Sequence, residues 1–221
     1  TYDVTAKVHA GDNALGVLLA DGWYSGYLGF KGTRKYYGHH PFALLQLVLT
    51  YEDGTSEVLA ADETWKAAVG PLVFSDIQMG ERYDARREMD GWNAPGFDDE
   101  DWGPVRTQPL DPEVALVGQP DPPMRITREI EPISITEHAP GVYIFDMGQN
   151  MVGWVRLHIS GEDVEPSTKI RLRYGEMLEP DGSLHTANLR SARATDEYLM
   201  KSGGNVVYEP HFTYHGFRYV E

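Results

Sequence analysis

The stretch Gly80-Glu81-Arg82-Tyr83-Asp84-Ala85-Arg86 places two carboxylates and two guanidinium groups directly after the apolar-alternating run Pro71 to Ile77. In an extended chain successive side chains point to opposite faces, so Glu81, Tyr83 and Ala85 share one face while Arg82, Asp84 and Arg86 share the other. Asp84 beside Arg86 gives a carboxylate held by a forked donor, which can fix a loop as a structural ion pair or grip the hydroxyls of a sugar. Ion-pair networks imitate binding sites, so both readings stay open. Gly22-Trp23-Tyr24-Ser25-Gly26 supplies an aromatic pair between glycines. Such a pair offers a flat face for the C–H side of a sugar ring, or else a lid on the core. The candidate carbohydrate-binding set is therefore Trp23 and Tyr24 for stacking, with Glu81, Asp84 and Arg86 for hydroxyl contacts.

Other chemistries find less support. His39-His40 point apart in a strand, and His211 and His215 lack helical spacing, so zinc ligation is not indicated. There is no Gly-x-Ser-x-Gly elbow and no phosphate-binding loop. The chain has no cysteine, which excludes disulfides and thiolate catalysis. Asp98-Asp99-Glu100-Asp101 could chelate calcium through oxygens or form a solvated turn pinned by Phe97 and Trp102. Glycoside hydrolysis needs two carboxylates facing each other across a cleft, and no such pair can be located by spacing, so no catalytic residue is assigned. A formal charge of −15 over 221 residues argues against nucleic acid or an anionic membrane as partner. Neutral or cationic ligands, metal ions included, fit that charge. No apolar run approaches the length of a bilayer span and no signal peptide is visible, leaving the cytoplasm and export equally open.

The elements that must position these groups are strands. Asn13 to Ala20 and Ala43 to Tyr51 are apolar runs, and Glu52-Asp53-Gly54-Thr55 forms a hairpin turn before a return strand from Val58. Pro109, Pro112, Pro120, Pro122 and Pro123 cannot lie inside a sheet and mark a linker at 108–123. Beyond it, Ile133 to Thr136, Gly141 to Asp146, Trp154 to Ile159 and Lys169 to Tyr174 read as strands. Tyr198 to Met200 and Val206 to Tyr208 read as a hairpin closed through Gly203-Gly204, and Phe212, Tyr214, Phe217 and Tyr219 read as core. No segment holds a helical period, so the fold class is all-β, with two antiparallel β-sandwich, jelly-roll-like domains at 1–107 and 124–221. The first residues lack an initiator methionine and the last stop within an aromatic strand pattern, so the chain is expected to be an excerpt, truncated in both domains.

Five motifs in order carry a resemblance: Gly22-Trp23-Tyr24-Ser25-Gly26; Gly80 to Arg86; Asp146-Met147-Gly148-Gln149-Asn150-Met151-Val152-Gly153-Trp154; Arg173-Tyr174-Gly175-Glu176; and Pro210-His211-Phe212-Thr213-Tyr214-His215-Gly216-Phe217-Arg218-Tyr219. Together they resemble bacterial α-L-rhamnosidases across nearly the whole chain. The resemblance implies a carbohydrate-binding-like β-sandwich, then a concanavalin-like β-sandwich, both preceding an (α/α)6 barrel that hydrolyses terminal α-L-rhamnose with inversion. It further implies rhamnose-containing glycosides or oligosaccharides, and the barrel of the same polypeptide, as partners. No cofactor is required, although some related rhamnose-binding modules use calcium. An alternative is a purely structural pair of sandwiches that binds no sugar.

Overall fold

Alternating apolar residues bounded by glycine, proline and acidic turns produce short strands throughout. The computed structural model describes all residues except 1, 30, 110, 114, 116, 118, 119, 161–163, 202 and 203. Among the described residues the helices are brief: one α-helical turn at Gly22–Ser25 and 3-10 turns at Thr5–Lys7, Ala85–Arg87 and Ala187–Leu189. The all-β expectation is met.

The chain groups into two compact units that interleave in sequence. One comprises Thr1–Leu19, Phe42–Val69 and Met89–Arg125, the other Ala20–Pro41, Gly70–Glu88 and Ile126–Glu221. In the first, Gln46–Thr50 pairs antiparallel with Ser56–Ala60, and Lys66–Ala67 pairs with Gly103–Pro104. The Asp53-Gly54 turn closes that hairpin as expected, with Gly54 at φ 83° and Asp53 Oδ1 accepting from the Thr55 amide and hydroxyl. Asn13 to Ala20 forms no strand.

The second unit is built on a seven-stranded sheet. Its strands run in the order Leu72–Asp76, Gly80–Asp84, Thr195–Leu199, Lys169–Gly175, His215–Val220, Val142–Gly153 and Ser134–Ala139. Neighbours are antiparallel except Gly80–Asp84 and Thr195–Leu199, which run parallel with Tyr83 opposite Tyr198. The expectation of purely antiparallel sheets is corrected there; a long intervening chain permits a parallel pairing that no tight hairpin could make. Tyr198 to Met200 and Val206 to Tyr208 do not form a hairpin with each other. Val206–Tyr208 pairs instead with Leu157–Ile159 as a separate two-stranded sheet. Part of the turn proposed between those runs, Gly203, lies outside the described residues.

Leu172, Tyr174, Tyr198, Met200, Tyr208, Phe217 and Val220 bury the centre of this unit, with Leu157, Ile159 and Val206 packed against them. Two sheets thus close over one core, as a sandwich requires. Of the four aromatic residues assigned to the core near the C-terminal end of the sequence, Phe217 is fully buried while Phe212 is exposed.

Candidate functional site

The Gly80–Asp84 strand lies between Leu72–Asp76 and Thr195–Leu199 and carries the polar stretch into the interior. Gly80 has φ 100°, and a Cβ there would come within 2.0 Å of the Thr195 carbonyl oxygen, so only glycine fits so close an approach. Glu81 follows with 1% of its surface exposed. Its carboxylate accepts hydrogen bonds from the Tyr208 hydroxyl at 3.1 Å and the His211 amide at 2.7 Å, and its Oε1 lies 3.1 Å from His211 Nδ1. The Glu81 amide donates to Asp196 Oδ1 at 2.8 Å. Asp196, itself fully buried, also accepts from the Tyr174 hydroxyl at 2.7 Å and has His215 Nε2 at 3.2 Å. Two buried carboxylates are thus satisfied wholly by groups of the same unit, as buried polar atoms must be.

The electrostatics follow from these contacts. The hydrogen bond to Glu81 raises the His211 pKa above the ordinary histidine value. Burial pushes the hydroxyls of Tyr83, Tyr174 and Tyr208 up, reinforced by the adjacent carboxylates. His211 stacks nearly parallel on Tyr83 with ring centres 5.4 Å apart, and Tyr83 also stacks with Tyr198 at 5.8 Å. These rings, with Tyr208, Glu88 and Glu209, line a cleft of about 230 Å³. Each carboxylate at its rim is already engaged: Glu88 accepts from the Tyr83 hydroxyl, and Glu209 from Trp154 Nε1 and Arg156 Nε.

Asp84 and Arg86 meet as expected, but across the start of the Ala85–Arg87 turn rather than along one strand face. Arg86 Nε and Nη2 each donate to the Asp84 carboxylate at 2.7 Å, and Arg87 lies 3.7 Å from it. The Arg86 hydrogen bond holds the Asp84 carboxyl below the usual aspartate value. Arg86 Nη1 reaches on to Ser167 Oγ at 3.0 Å. The alternation stops at Asp84, whose side chain caps the following turn by accepting from the Arg86 amide. Trp23 and Tyr24 sit on the Gly22–Ser25 helical turn rather than in a loop. They are 44% and 43% exposed, which leaves ring surface open to a ligand. Tyr24 stacks with Tyr37 at 6.5 Å, and Asp76 ties this segment to the large sheet by accepting from the Tyr27 amide at 2.7 Å. The structure therefore joins Glu81, Asp84 and Arg86 on one strand and its turn, with Glu81 facing inward, and presents Trp23 and Tyr24 from a separate element.

Sequence reading missed Asp196, Tyr208, His211 and His215 as partners of Glu81 and its strand. His211 and His215 lie within the Pro210 to Tyr219 motif, whereas Asp196 and Tyr208 lie outside every motif singled out. The Asp146 motif resolves into an ion pair, Asp146 accepting from Arg218 Nε and Nη2 at 2.9 Å each. The Asp98 to Asp101 turn does not fit a calcium cage, because Lys66 Nζ holds Asp99 at 2.8 Å; Phe97 and Trp102 meet edge to face beside it. Among the described residues no three His, Asp or Glu side chains converge as metal ligands.

Comparison with known proteins follows the same order of modules. Residues 1–128 match the α-L-rhamnosidase N-terminal domain, and residues 136–221 match the bacterial α-L-rhamnosidase concanavalin-like domain. The chain belongs to the bacterial α-L-rhamnosidase family. An α-L-rhamnosidase of Streptomyces avermitilis is 51% identical over the whole chain, which spans 21% of that protein; one of Alteromonas sp. is 40% identical, with 24% spanned. A crystal structure of the Streptomyces avermitilis enzyme complexed with L-rhamnose superimposes with a TM-score of 0.84 at 50% identity, covering 90% of this chain and 19% of that one. The native Aspergillus terreus enzyme gives 0.84 at 37% identity, covering 90% and 23%. This rhamnosidase-family chain thus corresponds to about a fifth to a quarter of the length of the relatives it matches.

Proposed function

We propose that the chain is the accessory β region of an α-L-rhamnosidase, supporting an (α/α)6 barrel outside this chain that hydrolyses terminal α-L-rhamnose, and helping to recognise the rhamnosyl substrate. The observation that carries this reading is the state of its buried acids. Glu81 and Asp196 spend their oxygens on protein donors. An inverting pair needs carboxylates about 6.5–9.5 Å apart with space for water between them. The strongest support for a sugar contact within this chain is the open ring surface of Trp23 and Tyr24. Exposed Arg86, oriented by its fork onto the largely buried Asp84, would offer hydroxyl partners with Asp84 behind it, and buried Glu81 would hold that strand in place.

Incubating the purified chain with a chromogenic α-L-rhamnoside tests the catalytic part. No sustained phenol release is expected, and release abolished by mutating a carboxylate of this chain would overturn the reading. Titration calorimetry with L-rhamnose tests the recognition part: heat of binding should be reduced by Trp23→Ala and by Asp84→Ala. Heat unchanged by both variants removes these residues from the site. The division into 1–107, a linker at 108–123 and 124–221 is likewise a proposal. Limited proteolysis should cut first at 108–123, and the pairing of Gly80–Asp84 with Thr195–Leu199 predicts that the fragments remain associated afterwards.

A further inference from the structure

A second cleft, of about 350 Å³, opens on the opposite edge of the seven-stranded sheet from Leu72–Asp76. Its edge strand, Ser134–Ala139, presents Ser134 and Thr136 to it at alternate positions, and where the pairing register shifts beyond them both Glu137 and His138 line it. Asp146 stands opposite both Ser134 and Tyr219 in register, so a row of polar groups crosses three strands. Ile144 and Leu178 supply apolar lining, and the Asp181-Gly182 turn stands beside His138. A Cβ built on Gly182 would lie 3.6 Å from His138 Nδ1, in ordinary contact with it, and the turn's φ of 87° at this position is what favours glycine.

The polar groups divide into two sets. Asp146 is held by Arg218 and the Gly148 amide, Asp181 by the Ser183 amide and hydroxyl, and Glu137 accepts from the Gly141 amide. The hydroxyls of Ser134, Thr136 and Tyr219 and the imidazole of His138 make no hydrogen bond to another described residue. The cleft therefore pairs neutralised or turn-bound acids with a line of hydrogen-bonding side chains over an apolar patch. Its volume falls at the small end of ligand sites, which run from about 300 to 1,000 Å³. A phosphate or other strong anion would meet no cation free of a carboxylate here. A neutral ring bearing several hydroxyls, with one C–H face, matches both parts.

We propose that this cleft is a subsite for a neutral pyranose unit, distinct from the Trp23 and Tyr24 surface. Ser134, Thr136, His138 and Tyr219 bind its hydroxyls and Ile144 with Leu178 receives its apolar face. The choice of a sugar as ligand class rests on the accessory-region reading above, whereas the position rests on the geometry of the cleft.

Protection of His138 from carbethoxylation tests this in the full polypeptide that contains the chain, with peptide mapping by mass spectrometry and L-rhamnose as probe. His138 is exposed and should react readily without sugar. Saturating L-rhamnose should slow its modification several-fold while exposed His9 is unaffected. Thr136→Ala and Tyr219→Phe should each raise the concentration for half-protection by roughly 5-fold, the value of one neutral hydrogen bond. A His138 that is unreactive before sugar is added means the cleft is covered by the rest of the polypeptide, and overturns the subsite. Unprotected His138 beside rhamnose heat that responds to Trp23→Ala overturns the subsite and leaves the accessory reading standing. Absence of both signals overturns the sugar-binding reading at both places.

Discussion

The two compact units solve the problem of stability in different ways. The unit containing the seven-stranded sheet buries Tyr174, Met200 and Phe217 completely and threads a polar network of Glu81, Asp196, Tyr208 and His215 through the same interior. In the unit of Thr1–Leu19, Phe42–Val69 and Met89–Arg125, no described residue is buried to that degree, and Val58 and Leu59 of its hairpin are 55% and 45% exposed. A two-stranded hairpin is at best marginally stable in water without something to cover it. The contrast teaches that equal strand character does not mean equal commitment to the fold. Where strands stack, each polar group must find a specific partner; where they do not, side chains stay solvated and substitution is cheap.

The largest test of this contrast is Asp196→Ala. It leaves the Glu81 amide, the Tyr174 hydroxyl and the buried His215 without their shared acceptor. Each unsatisfied buried donor costs about 1–3 kcal/mol, so a total loss of about 3–5 kcal/mol is expected in urea unfolding. A loss below about 1 kcal/mol would show that the network is not the organiser described here.

Tyr174→Phe removes only one donor and keeps the ring stack on His215, whose centre is 4.1 Å away. It should cost about 1 kcal/mol, because Asp196 retains two other partners. A cost equal to that of Asp196→Ala would mean that the network acts as one inseparable unit.

The pH dependence of the unit sharpens the comparison further. Glu81 raises the folded-state pKa of His211 above that of the unfolded chain. Its contribution to stability is therefore complete below about pH 6.5, the ordinary histidine value, and is lost as pH rises through the raised value. His211 is partly exposed, so the effect is modest. The urea midpoint should fall over that window in the parent chain, and His211→Gln should flatten the profile. An equally steep fall in the variant assigns the titration to another group.

The smallest change is expected in the other unit. Leu59→Ala on the exposed hairpin should shift stability by no more than about 0.5 kcal/mol, the usual range for surface positions. A large loss would reveal that the hairpin face is covered in solution, and the difference between the units would narrow accordingly.

Much of this was legible in the order of residues. Alternation and turn chemistry predicted the strands at Ser56–Ala60 and Lys169–Gly175, the Asp53-Gly54 turn and the absence of long helices, because period and backbone preference are local properties. The Asp84–Arg86 fork is equally local: the two residues are joined across one capped turn, and their contact needs no other segment. The ordered motifs from Gly22 to Tyr219 identified the family. The tertiary structure alone decided that the Glu81 carboxylate faces buried donors from distant segments, while buried Asp84 is held by its near neighbours Arg86 and Arg87. For Glu81, the partners Tyr208 and His211 lie 127 and 130 residues away, and no spacing rule connects them. It also decided that Gly80–Asp84 runs parallel to Thr195–Leu199, and that Val206–Tyr208 pairs with Leu157–Ile159 rather than with its neighbour in sequence. Strand patterns carry a face but not an address, and the choice among partners is made by how apolar faces stack and by which donor can satisfy each buried acid.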